Sequence, residues 1–110
     1  VKVSSYVENA CYRHYLFVDR EKLADGWTRD RIVEEIIQRG VPCYHGSCPE
    51  VYLEKVFDET GWRPAQLLSN AQELGESSIM FLVHPTLTNT EIKKTCSVLR
   101  EVLSEAEKVR

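Results

Sequence analysis

The sequence predicts an α+β fold. The expected architecture is an α/β sandwich with about three strands, mainly antiparallel, covered by about four helices in the order β-α-β-α-α-β-α. Three observations predict it. An aromatic run rich in strand formers, "CYRHYLFV", spans residues 11–18. A five-residue run that is apolar on both faces, Ile79 to Val83, suits a buried central strand. Around these runs, apolar residues recur at helical spacing behind good capping residues, which places helices against a sheet.

Each element has its own local signal. In the first strand, Cys11, Arg13, Tyr15 and Phe17 fall on one face, and Tyr12, His14, Leu16 and Val18 on the other. A helix then begins at Thr28, a residue able to cap free backbone N–H groups. Trp27 before it and Ile32 after it are spaced as a hydrophobic staple. Ile32, Val33, Ile36 and Ile37 form its apolar stripe, and Gly40 stands where a left-handed cap is wanted. Val41 to Tyr44 suit a short strand. Ser47 and Glu50 have capping-box spacing, with Pro49 in the first turn, ahead of a short helix whose inner face is Tyr52, Leu53, Val56 and Phe57.

"ETGWRP" reads as a turn. The next helix starts at Ser69, where Gln72 completes a capping-box spacing, or near Pro64, and it is expected to stop at Gly75. After the central strand, Thr88 and Glu91 form a further capping box, stapled by Leu87 and Ile92. The last helix is expected to pack on Ile92, Cys96, Leu99, Leu103 and Ala106.

Length and charge narrow the function classes. The 110 residues suit one domain, and no repeat or low-complexity linker divides them. Fourteen basic against seventeen acidic residues, without a Lys/Arg cluster, offer no phosphate-backbone footprint, so nucleic acid is not an expected partner. No apolar run is long enough for a transmembrane helix, and no signal-peptide pattern opens the chain, so a cytoplasmic protein is the expectation. The chain starts without methionine, and residues 1–10 lack caps or periodicity. They are expected to be a connector from a preceding domain, with residues 11–110 as the domain proper.

The stretch "GVPCYHGSC", 40–48, concentrates the candidate chemistry. Cys43, His45 and Cys48 are residue types that zinc accepts, but no C-x-x-C is present and the spacing matches no paired-knuckle pattern. A Cys43–Cys48 redox pair would have four intervening residues rather than two, and the expected compartment disfavours disulfides. Cys11 and Cys96 fall on apolar faces and are expected to be small core residues. Neither a bound metal nor a disulfide is therefore expected. The remaining possibility is a shaped loop, in which Gly46 permits a bend and Tyr44, His45 and Ser47 form the rim of a polar-ligand site at a helix start.

His84, at the exit of the central strand before Pro85, reads as a hydrogen-bonded structural histidine or as a further ligand-facing candidate at the strand end. No Ser-His-Asp order, P-loop, G-x-G-x-x-G or H-E-x-x-H occurs, and the carboxylates fall mostly on helix exteriors and caps. On residues alone, a small-ligand-binding or regulatory domain remains open, as does, with less support, a zinc-binding module.

The order of the segments adds a resemblance. "YRHYLFV", "RDRIVEEIIQRGVPCYHGSC", "VYLEKVF" and "AQELGESSIMFLVHPTLTNTEI", followed by the closing helix, resemble the C-terminal region of the DegT/DnrJ/StrS family of sugar aminotransferases. The resemblance covers roughly Cys11 to Ala106. Its most specific part couples the aromatic strand, the "RD" helix and the "GVP" strand to "EL…SS-x-M-x-L-x-HPTLT-x-x-EI".

This resemblance implies an aspartate-aminotransferase fold and a pyridoxal 5'-phosphate enzyme that transfers an amino group to a nucleotide-linked keto-sugar, as used in polysaccharide or glycoconjugate biosynthesis. The chain would be the small domain, 11–110, of a homodimeric parent. Its partners would be its own large domain, the sugar nucleotide and an amino-acid donor. The lysine that holds the cofactor, and the cofactor's other ligands, would lie in the large domain, so no catalytic or cofactor-binding residue is implied here and the domain alone would be inactive. Tyr44 and His45 stand where the family commonly has a His-Tyr-Pro-like loop near the cleft, whereas this segment reads "CYHGSCPE". The electron sink in such chemistry is the cofactor's, and this domain would supply positioning.

Overall fold

The computed structural model describes residues 5–8, 10–46 and 48–108. Its sheet has three antiparallel strands: β1 (Arg13–Phe17), β2 (Tyr44–His45) and β3 (Ser78–Leu82), in the spatial order β1-β3-β2. The expected α+β class and the central place of the apolar strand are both found. The register pairs Tyr15 with Met80 and Leu16 with Ile79 on one side of β3. On its other side Tyr44 pairs with Met80 and His45 with Ile79. Opposed residues share a face, so Leu16, Ile79 and His45 point one way, and Tyr15, Met80 and Tyr44 the other.

Two helices cover the first of these faces. Helix α1 (Arg29–Gln38) starts as expected, with the Thr28 hydroxyl accepting from the N–H of Arg31 at 3.1 Å. It buries Ile32, Val33 and Ile36, and Gly40 follows with a φ of 75°. Helix α3 (Asn89–Ala106) carries both halves of the expected capping box: Glu91 N–H donates to Thr88 Oγ1 at 3.3 Å, and Thr88 N–H donates to Glu91 Oε2 at 2.7 Å. The core joins Ile32, Val33 and Ile36 to Val41, Cys43, Ile79, Phe81, Val98, Val102 and Ala106, with Leu16, Val18, Leu23, Trp27 and Leu99 packed around it. Arg39 closes the α1–α3 seam by donating to both carboxylate oxygens of Glu105, at 2.8 and 2.9 Å.

Several local expectations are corrected. The short helix over 51–57 is two 3₁₀ turns, Val51–Leu53 and Lys55–Phe57, in which Leu53 and Val56 stay exposed. A turn with no core to lie on does not extend into an α-helix. Glu50 stands at its N-terminal cap position without a side-chain cap bond, and the Ser47 half of the expected box lies outside the described residues. Helix α2 (Ser69–Ser77) runs through Gly75, and the Ser69–Gln72 box does not form, because the cap position is Leu68. The second strand begins at Tyr44, not Val41.

In α3 the buried stripe is Val98, Val102 and Ala106, while Ile92, Cys96 and Leu103 are exposed; Ile37 of α1 is exposed as well. The cysteine assignment also reverses: Cys43 is the core residue, and Cys11 and Cys96 are exposed. The expected connector 1–10 lies partly outside the described residues. Its residues 5–8 and 10 carry no helix or strand.

Candidate functional site

Arg29 organises the neighbourhood of the "YHGS" loop. It is the first residue of α1, where the helix dipole disfavours a cation, so its placement asks for a partner elsewhere in the fold. Its Nη1 donates to the carbonyl oxygens of Gly75 and Ser78, at 2.8 and 2.7 Å, and its Nε donates to Asp30 Oδ1 at 2.6 Å. Only 13% of its side chain is exposed. Ser78 O also accepts from Gly46 N–H at 3.3 Å, which fixes the exit of β2 to the start of β3. One guanidinium thus ties together the start of α1, the end of α2 and the first residue of the central strand, and the neighbouring ladder carries the loop.

Two glycines make this junction possible by close approach. A Cβ on Gly46 would run into the side chain of Ser78, and one on Gly75 would run into the ring of Pro49. The residues after β2 therefore lie directly on α2. The first is the bend anticipated in the sequence; the second explains why Gly75 sits inside the helix rather than ending it.

His45 points to the helix-covered side, where its Nε2 is 3.5 Å from Asp30 Oδ1, the oxygen that Arg29 also holds. With Asp30, Val33, Glu34, Ile37, Cys43 and Tyr44 it borders a depression of about 340 Å³. Tyr44, the adjacent residue of the same strand, belongs by register to the opposite face with Tyr15 and Met80. Ser47 lies outside the described residues.

His84 belongs to a different place. It lies four residues beyond Met80, roughly 13 Å further along the strand direction at the usual rise. Its Nδ1 accepts from Thr86 N–H at 3.3 Å and contacts Thr86 Oγ1 at 2.7 Å, which puts the ring proton of the neutral form on Nε2. It lines a mainly apolar groove of about 450 Å³ with His14, Phe81, Leu82, Leu87 and Ile92. Of the three described candidates, His45 and Tyr44 flank the start of β3, and His84 stands past its end.

The cysteines offer little chemistry at this site. All four are free, and Cys43 is buried in the core, where burial pushes its thiol up to about 11, slightly offset by a backbone hydrogen bond involving Tyr44. Among the described residues, no group of three His, Cys, Asp or Glu side chains is placed to hold a metal ion. The arrangement around Arg29, Asp30 and His45 is one of hydrogen-bonding groups held in fixed positions, able to orient a polar ligand. Sequence reasoning passed over Arg29, although a cation at the first position of a helix was a usable signal.

Comparison with known proteins gives an informative likeness. The chain is 52% identical to the protein in the X-ray structure of the aminotransferase from Psychrobacter cryohalolentis, with a TM-score of 0.83. The match covers 86% of this chain and 24% of that one, so the chain spans about a quarter of the length of the protein it matches. No protein-family model matches the chain, and neither does any curated protein. Among the described residues, no helix is long and apolar enough to cross a membrane. The fold seen here is therefore that of a segment of a solved aminotransferase.

Proposed function

We propose that residues 11–110 are the C-terminal small domain of a larger pyridoxal-phosphate aminotransferase, joined to its large domain through residues 1–10. The observation that carries this is the likeness over most of this chain to about a quarter of a solved aminotransferase. The surface supports it independently. The radius of gyration is 16.9 Å, against about 13 Å for a compact domain of this size. The segment after β2 leaves Val56 74% and Trp62 78% exposed. Exposed apolar side chains in that segment suit an interface with a preceding domain.

The described lysines lie at the surface. Lys22, Lys55, Lys93, Lys94 and Lys108 are all exposed, and three are engaged at the surface: Lys22 with Asp19, Lys94 with the Gly40 carbonyl and Lys108 with the Glu21 carbonyl. None of them fits a buried Schiff-base lysine, so no step through the cofactor is assigned to this chain. The role proposed for it is positioning. Tyr44 and His45 border the substrate cleft at the start of β3, Ser47 is assigned to the same cleft from the sequence, and His84 faces it from the far end of the strand. In the full proposal the enzyme is a cytoplasmic homodimer that aminates a nucleotide-linked keto-sugar for polysaccharide or glycoconjugate synthesis, taking its amino group from an amino acid.

The test is to read the complete coding sequence around this domain and purify its product. The expected result is a preceding domain with a lysine after a strand and a protein carrying the cofactor's visible absorption. That absorption should fall when an amino-acid donor is added and return on addition of a nucleotide keto-sugar. A reading frame that joins this domain to an unrelated one, or a full-length product that takes up no pyridoxal phosphate, would overturn the proposal.

A further inference from the structure

Three arginines are half-buried in the described structure, and two rest on carboxylates: Arg29 on Asp30 and Arg39 on Glu105. Arg13, the first residue of β1, has no carboxylate within 4.0 Å among the described residues. Tyrosines surround it instead. Its guanidinium carbon lies 4.8 Å from the centroid of the Tyr12 ring, its Nη2 donates to the Tyr12 hydroxyl at 3.2 Å, and it is hydrogen-bonded to Tyr15. Its Nε is enclosed and meets no acceptor. An enclosed donor that meets no acceptor calls for an explanation in a native fold.

The surroundings indicate what would satisfy it. Arg13 shares one face of the sheet with Tyr15 and Phe17, the face turned away from the core, and on it Tyr15 and Tyr44 are exposed on either side of the buried Met80. Tyr12 precedes β1, is 76% exposed and stands outside the ladder, and the unmet donor lies on the Nε edge of the guanidinium. That edge, Nε with one Nη, is the one that takes an oxyanion with two parallel hydrogen bonds. The bonds from Tyr15 and then Tyr12 raise the arginine's pKa further, so it stays charged wherever a phosphate or carboxylate is ionised.

We propose that Arg13, between Tyr12 and Tyr15 on the edge strand β1, is a two-pronged receiving site for a phosphate or carboxylate group. The inference rests on this chain alone and does not depend on the aminotransferase assignment.

The test is an NMR titration of this chain with nitrogen-15 in its arginine side chains. Inorganic phosphate and sodium acetate are added separately, each against sodium chloride at matched ionic strength. The expected result is a saturable shift of Arg13 Nε–H and of the Tyr12 and Tyr15 ring signals with at least one anion, at a dissociation constant on the order of millimolar. Saturation by phosphate alone assigns a phosphorylated ligand, and saturation by acetate alone a carboxylate. Arg13→Gln should abolish the shift, and Arg13→Lys, which keeps the charge but not the fork, should weaken it at least about fivefold. Exposed Arg100 should drift without saturating. The proposal fails if neither anion saturates beyond chloride. It also fails if a folded Arg13→Gln, or Arg13→Lys should the glutamine variant lose its dispersed spectrum, binds as the parent does.

Discussion

Arg29 on α1 donates to the main-chain oxygen of Ser78, the first residue of β3, at 2.7 Å, and with the same nitrogen to Gly75 O at 2.8 Å. These are charge-assisted bonds from a side chain that is only 13% exposed, so their loss leaves buried carbonyls short of a donor. Arg29→Ala is expected to cost about 2–4 kcal/mol in urea unfolding. Asp30→Asn, which removes only an exposed carboxylate, should cost well under half as much. Equal losses in the two variants would show that the Asp30 pair, not the carbonyl clamp, holds the junction.

A methyl group at position 46 would meet the Ser78 side chain, with Ser78 Cβ at 2.6 Å. Gly46→Ala is therefore expected to destabilise the fold by about 1–3 kcal/mol and to shift the amide signals of Tyr44 and His45. Removing the obstacle with Ser78→Gly should recover part of the loss, giving a double-mutant cycle with a coupling of at least about 0.5 kcal/mol. Additive losses would argue against a steric cause.

Cys43 should resist alkylation while Cys11, Cys48 and Cys96 react, as read by mass mapping after iodoacetamide at pH 8. The buried thiol also has a stability consequence. Its folded pKa of about 11 lies above its ordinary value of 9.0. Between those limits the unfolded chain gives up the proton that the folded chain keeps. The contribution is thus complete below pH 9.0, lost as pH rises to about 11, and worth about 2–3 kcal/mol. A Cys43→Ala variant, though less stable throughout, should lack that part of the alkaline decline. Parallel curves for parent and variant would contradict it.

Glu91 accepts from both the backbone and the side chain of Thr88, which lowers its pKa below the usual carboxylate value. A depressed carboxylate contributes stability above its unfolded pKa and loses it as pH falls through the folded one. The α3 start should therefore fray in acid, below the ordinary Glu range. Hydrogen exchange at Glu91 and Ile92 amides should report the fraying, and Glu91→Gln should remove its pH dependence. Exchange that ignores both pH and the substitution would contradict the capping role.

The contrast between these positions explains what could be read in advance. The caps at Thr28 and Thr88 depend on residues three apart, so their chemistry is complete in the local sequence. The central strand was legible because Ile79 to Phe81 are apolar on both faces and are in fact buried. Helix α3 was harder, since Ile92, Cys96 and Leu103 make as good a stripe as Val98 and Val102 do. Only the position of α1 selects between them. Residues 51–57 were misjudged because amphipathic spacing forms a helix only where something receives the apolar face. The candidate site was legible as a list of residues but not as a geometry. The alternation of β2 sends Tyr44 and His45 to opposite faces, and the direction of β3 carries His84 away from both.

Helix α2 ends at Ser77 and β3 begins at Ser78, with no linker between them. Ser77 O receives Val18 N–H from the end of β1, at 2.9 Å, and Ser78 O receives Gly46 N–H from the end of β2. Helix and strand therefore meet at a welded joint rather than a hinge. A torque applied at the Leu67–Leu68 end of α2 meets a joint whose two carbonyls are held from both sides. It is delivered to the central strand and, through the ladders on either side, to both edges of the sheet at once.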